Sequence, residues 1–174
     1  LELCAAVAVD VGAESDVERA RERLEGLLDD GSALERFARL VDRQGGDVRI
    51  VETPDRLPTA PVVRAFTAPR EGWIAALDAR RIGLAAVELG AGRRALGDEI
   101  DPAVGFEVLA GVGMQVEAGR PLARIHARTE QDADRAAGRL GEALELSAEP
   151  VEPAALIRGR VPASAAAPIT DDFE

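Results

Sequence analysis

Val116-Glu117-Ala118-Gly119-Arg120-Pro121-Leu122-Ala123-Arg124-Ile125 reads as a strand, a tight turn and a second strand. Gly119 supplies the turn, and Pro121 can only open a strand, because a proline inside it would remove a ladder hydrogen bond. The first arm is expected over Met114–Glu117 and the second over Pro121–Ala127, with a further strand at Phe106–Leu109. A similar pattern precedes it. Val62–Thr67 is a strand, Ala68-Pro69-Arg70-Glu71-Gly72 a turn, and Gly72–Leu77 the return strand. Between the two patterns, Asp78–Leu89 suits a short helix with Asp78 as N-cap and Gly90 as the terminating glycine. After them Thr129 opens a last helix with Ala133, Ala136, Ala137, Leu140 and Leu144 inward. A closing strand is expected at Ala154–Val161, and residues 162–174 read as a frayed, flexible tail.

Working towards the N-terminus, Thr53–Pro61 holds three prolines in nine residues, a stiff connector and the natural boundary. The boundaries read from the chain are a helical segment 1–50, a linker 51–61, a β-rich domain 62–161 and the tail 162–174. Leu1–Val11 is apolar on nearly every side, the pattern of a helix surrounded by protein. Together with a first residue that is not methionine, this raises the expectation of further sequence upstream. Ser15 with Glu18, and Ser32 with Glu35, have the spacing of capping boxes. Val17, Ala20, Leu24, Leu27 and Leu28 form one helical stripe, and Leu34, Phe37, Ala38 and Val41 another. Gly31 and Gly45 stand where glycines stop helices. Val48–Val51 reads as a short strand.

Charge follows the same division. The 174 residues carry 32 acids and 21 bases, a net charge of −11, and hydrophobic residues make up 47%, enough for a packed core. Residues 1–60 hold 14 acids and 8 arginines, residues 61–127 hold 8 of each, and residues 128–174 hold 10 and 5. The acidic balance argues against a nucleic-acid partner. No apolar run reaches the roughly 18–20 residues needed to span a bilayer, and no signal peptide is read, so neither nucleic acid nor membrane is expected as a partner. The single cysteine, Cys4, excludes an internal disulfide and fits a reducing cytoplasm. Every base is arginine; there is no lysine.

That absence decides one question at once. Ala68–Leu77 and Val116–Ile125 resemble the two halves of a biotinyl or lipoyl barrel-sandwich, but such a carrier holds its cofactor on a lysine amine. No attached cofactor is expected.

A second resemblance is more specific. Gly83-Leu84-Ala85-Ala86-Val87-Glu88-Leu89-Gly90-Ala91-Gly92-Arg93-Arg94, then Asp98-Glu99-Ile100-Asp101-Pro102-Ala103-Val104-Gly105, is similar to the C-terminal domain of the thymidine and pyrimidine-nucleoside phosphorylase family. The family's Gly-x-x-Val-x-x-Gly-x-x-Leu is matched by Gly113, Val116, Gly119 and Leu122. Leu1–Cys4, Asp30–Ala33 and Gln44–Asp47 also resemble it, so the likeness runs from Leu1 to about Val161. It implies an α+β chain: the helical end of an upstream α/β domain, followed by an α/β-hammerhead (barrel-sandwich-like) domain. It also implies reversible phosphorolysis in a cytoplasmic homodimer. Thymidine or uridine and phosphate would give the free base and a (deoxy)ribose 1-phosphate. The resemblance places the phosphate loop, the base-binding residues, the active-site histidine and the cation site upstream of Leu1. No catalytic, substrate-binding or metal residue is therefore carried over.

The chain's own candidates are few. Gly90, Gly92, Arg93 and Arg94 lie in a glycine-rich loop that would close over the cleft of a complete enzyme or contact an anion. The favoured reading is plainer: a solvated turn whose arginines pair with Asp98, Glu99 or Asp101. His126 has no clustered partner and reads as a structural strand residue. Cys4 reads as helix packing, Trp73 as core or inter-domain packing, and Asp98 and Asp101 as turn formers. The leading expectation is the C-terminal part of a thymidine or pyrimidine-nucleoside phosphorylase, inactive on its own. The alternative is a stand-alone, non-catalytic scaffold or interaction domain.

Overall fold

The computed structural model describes residues 1–159 and is α+β. The chain divides into a mainly helical unit, Leu1–Glu52 together with the described residues from Ala154 onward, and an α/β unit, Thr53–Pro153.

The helical unit holds α1 (Glu2–Asp10), α2 (Val17–Asp29), α3 (Ser32–Arg43) and a single turn, α4 (Arg49–Glu52). α1 meets α2 through small residues: Ala5, Ala6 and Ala20 are buried, so the two backbones approach closely. Arg21 spans the pair to Glu2 at 2.5 Å. The apolar circumference of α1 is not enclosed as the sequence suggests; Leu3 and Val7 are more than half exposed, and Cys4 is exposed too and is not a packing residue. α3 buries nothing, and Leu34 and Phe37 stand 56% and 50% exposed.

A carboxylate, not the expected serine, caps α2, and a second carboxylate meets the first amide of α3 from outside its Gly31 N-cap. Asp16 Oδ1 accepts from Arg19 N at 2.9 Å, with Ser15 donating to Asp16. Asp30 Oδ1 accepts from the amide of Ser32, the first helical residue of α3, at 2.8 Å. An ionised acceptor makes the stronger bond and suits the positive helix end. Gly31 and Gly45 have φ of +82° and +76°, as terminating glycines do. The expected strand at Val48–Val51 is instead the turn of α4. Asp47 accepts from Arg49 N and its guanidinium, and this local cap outweighs the β-branched side chains.

The α/β unit has two three-stranded antiparallel sheets. One runs β1 (Val62–Thr67), β5 (Pro121–Ala127), β3 (Gly105–Val108); the other runs β4 (Gln115–Val116), β2 (Gly72–Leu77), β6 (Leu144–Ser147). The two expected hairpins are not hairpins. β1 pairs with β5 and β2 with β4, so each V-shaped segment sends one arm to each sheet. The two turns hold each other: Ala68 N donates to Arg120 O and Gly119 N to Ala68 O, both at 2.9 Å. This exchange buries Ala68, Ile74, Val116 and Leu122 in one core.

The second core lies under the helices α5 (Ala79–Leu89) and α6 (Glu130–Ala143). Ala123, Ile125 and Ala127, alternate residues of the central strand, meet Ala133, Ala136 and Leu140. The alanines on both sides let α6 lie close to the sheet. Asp78 and Thr129 cap these helices as expected, accepting from Arg81 N and Asp132 N. α6 passes directly into β6, so Leu144 is a strand residue and not a helical one. The closing strand expected at Ala154–Val161 is absent over Ala154–Gly159; its last two residues and the tail 162–174 lie outside the described residues. No described helix is long and apolar enough to cross a membrane.

Candidate functional site

The glycine-rich segment begins where α5 must end. Gly90 is its C-cap with φ +106°, a conformation an L side chain adopts only under strain. Its N–H and that of Ala91 return to Val87 O and Ala86 O. Gly92 is needed for a different reason: a Cβ there would lie 2.7 Å from Val87 Cγ2.

Beyond Gly92 the chain forms a loop whose ends meet, Asp101 N donating to Gly90 O at 2.9 Å. One carboxylate organises its interior. Asp98 Oδ2 accepts from Arg94 N and Ala95 N, each at 3.0 Å. The Arg94 guanidinium turns back to α5 and donates to Glu88 O at 2.8 Å. The arginine–carboxylate pairing expected within the loop is therefore not what holds it: Arg94 uses its amide on Asp98 and its side chain on a backbone carbonyl. Arg93 is exposed and makes no hydrogen bond or ion pair among the described residues. At the tip Leu96 is fully exposed (103%), and Ile100, beside the base, is half-exposed.

Asp101 has a partner that sequence reasoning missed. Arg128 Nε donates to Asp101 Oδ2 at 2.5 Å and Arg128 Nη2 to Asp101 Oδ1 at 2.7 Å, a two-pronged pair. Ala103 N donates to the same carboxylate. The Arg128 guanidinium first, and the Ala103 amide second, hold the Asp101 carboxyl below its usual range, and Asp101 in turn raises Arg128. Nothing in local spacing announces a pair separated by 27 residues.

The other sequence candidates do not converge on this loop. His126 lies on β5 between Val63 of β1 and Gly105 of β3. Trp73 lies on β2 between Gln115 and Ser147. It lines an open groove of about 1020 Å³ at the two sheet-crossing turns, together with Arg70, Glu117 and Arg120. Arg70 is engaged there, donating to Leu146 O at 2.6 Å. Among the described residues no three His, Cys, Asp or Glu side chains are grouped to hold a metal ion. The loop thus offers one free guanidinium and an apolar tip on a tied base. An exposed guanidinium is chemically suited to an anionic group.

Residues 73–147 match the pyrimidine nucleoside phosphorylase C-terminal domain family. The chain is also similar to curated thymidine phosphorylases. That of Burkholderia cenocepacia is 45% identical over 136 residues, 78% of this chain and 31% of that protein. That of Burkholderia orbicola is 43% identical over 136 residues, with the same coverage. A second strain of Burkholderia cenocepacia has one 43% identical over 135 residues, 77% of this chain and 31% of its own. The chain spans about a third of the length of these relatives.

Proposed function

We propose that this chain, which carries a pyrimidine nucleoside phosphorylase C-terminal domain at residues 73–147, is the C-terminal portion of a thymidine phosphorylase. The observation that supports this most is the 45% identity to a thymidine phosphorylase over 136 residues, which reaches well beyond the domain match into the helical unit. Residues 62–161 would be the C-terminal domain in its hammerhead form, residues 1–50 the helical end of an α/β domain, and 51–61 the linker.

The reaction is a pentosyl transfer. A phosphate oxygen bonds to the anomeric carbon of the sugar, and the bond from that carbon to the pyrimidine nitrogen breaks. The electron pair leaves with the base, which takes up a proton. Thymidine and phosphate become thymine and 2-deoxyribose 1-phosphate. Such chemistry needs a bound phosphate dianion beside the anomeric carbon and donors for the departing base. No such set is assembled by the described residues, so the contribution of this chain is structural: a cleft wall, and the loop Gly90–Gly97 with Arg93 and Arg94 as its closing element. The complete enzyme would be a cytoplasmic homodimer acting on phosphate and a pyrimidine nucleoside, without nucleic acid or membrane as partner.

The complete protein, given thymidine or uridine with inorganic phosphate, is expected to form a sugar phosphate ester visible by phosphorus NMR. Base release that does not consume phosphate, or no release from either nucleoside, would overturn the reading.

A further inference from the structure

The loop from Ala91 to Ile100 is held in two independent ways. Its interior contacts are local: Asp98 to the amides of Arg94 and Ala95, and Arg94 to Glu88 O. Its base is joined to the rest of the unit by Asp101. That residue donates its amide to Gly90 O and accepts at its carboxylate from Ala103 N and from both prongs of Arg128. Its other bonds are short-range, to Gly90 O at the helix end and from the Ala103 and Val104 amides just ahead of β3; only Arg128 ties it to a residue distant in the chain.

Arg128 stands on a different footing. It follows Ala127, the last residue of the central strand, and precedes Thr129, the cap of α6. Ile125, Ala127 and Ala133 on either side are fully buried. The guanidinium is therefore delivered from backbone flanked by fully buried residues, while Asp101 belongs to a segment without regular structure. A planar fork on two carboxylate oxygens fixes orientation as well as distance, which a point charge does not.

We infer that the Asp101–Arg128 pair is a latch that presets the Ala91–Ile100 loop, and that Arg128 is a positioning residue for nucleoside binding in the complete enzyme. The second half rests on the phosphorylase reading; the first stands on this chain alone. With the latch made, the loop with Arg93 and Leu96 is held in one arrangement before any ligand arrives. With it broken, the loop still keeps its interior bonds and turns as a body about Gly90 and Asp101. A ligand must then select the closed arrangement from a wider set, and its apparent affinity falls by the fraction lost.

Two variants test this, Asp101→Asn and Arg128→Lys, the latter keeping the charge and losing the fork. In the 174-residue chain, amide hydrogen exchange across residues 91–100 is expected to quicken about tenfold in both, with Ile125 and Leu140 amides unchanged. Unchanged loop exchange would overturn the latch, as would equal acceleration in β5 and α6, or wild-type behaviour of Arg128→Lys. In the complete protein both variants are expected to raise KM for thymidine about tenfold while kcat stays within about twofold. A fall in kcat at constant KM would overturn the positioning role. If the complete protein forms no sugar phosphate, the phosphorylase reading and the positioning role fall together, and the exchange measurement still decides the latch.

Discussion

Asp101 shows how much one carboxylate can be given to do. Its ionised form is favoured first by the Arg128 guanidinium and then by the Ala103 amide, so its pKa in the fold is lowered. A lowered value means that its stabilisation is fully present above the unfolded pKa, about 3.9, and is lost as pH falls through the folded value. A carbon-detected NMR titration is expected to place the Asp101 midpoint below that of an ordinary aspartate, and Arg128→Gln to return it towards the ordinary range. A midpoint insensitive to Arg128→Gln would show that the pair does not form in solution. Two glycines make a second comparison at this scale. Gly113 and Gly119 share a positive φ, +85° and +83°. A Cβ at Gly113 would meet Pro153 Cδ at 2.7 Å and Val151 O at 2.9 Å, whereas one at Gly119 meets nothing within 4 Å. Gly119→Ala is expected to cost about 1–2 kcal/mol from backbone strain alone. Gly113→Ala should cost more, because the clash falls partly on backbone. Urea unfolding of the two variants reads the difference, and equal losses would contradict it.

At the scale of elements, the strands β1, β2 and β5 were legible to the residue, because alternating apolar positions bounded by glycine and proline mark them. Which strands pair was not. The segments Ala68–Gly72 and Glu117–Arg120 have the composition of hairpin turns, and nothing local distinguishes a turn that folds a strand back from one that hands it to another sheet. The choice is made by the long-range core of Ile74, Val116 and Leu122. β6 was missed because Leu144-Glu145-Leu146-Ser147 follows α6 without a loop, so its two-residue alternation reads as the end of the helical stripe. The glycine loop was legible as a loop, through Gly90 and Gly92. Its fastening was not, since Asp101 and Arg128 meet only after β5 and α6 are in place. The same reasoning singles out Ile125, fully buried at the middle of the central strand and facing α6. Ile125→Ala is expected to destabilise the α/β unit by about 2–5 kcal/mol, measured by chemical unfolding. A loss below about 1 kcal/mol, the size of a surface change, would mean that this strand is not the centre of the core.

For the whole molecule, the division at Glu52 and Thr53 separates an α/β unit with two buried cores from a helical unit whose α3 buries no side chain. Residues 53–153 are expected to unfold cooperatively as an isolated polypeptide and to be more soluble than the 174-residue chain, which exposes Leu3, Val7, Leu34 and Phe37. A broad, non-cooperative transition would count against independent folding of that unit. The 174 residues also determine what the chain can do chemically. They contain no lysine and a single histidine, which lies on β5 and has no acid–base partner among the described residues. The most direct measurement is therefore chromatographic quantification of thymine from thymidine and inorganic phosphate, run in parallel on the complete protein and on the 174-residue chain. Thymine and 2-deoxyribose 1-phosphate in equal amounts from the complete protein, and none from the chain, is the expected result; phosphate-dependent thymine release by the chain alone, or its absence from the complete protein, would contradict the assignment.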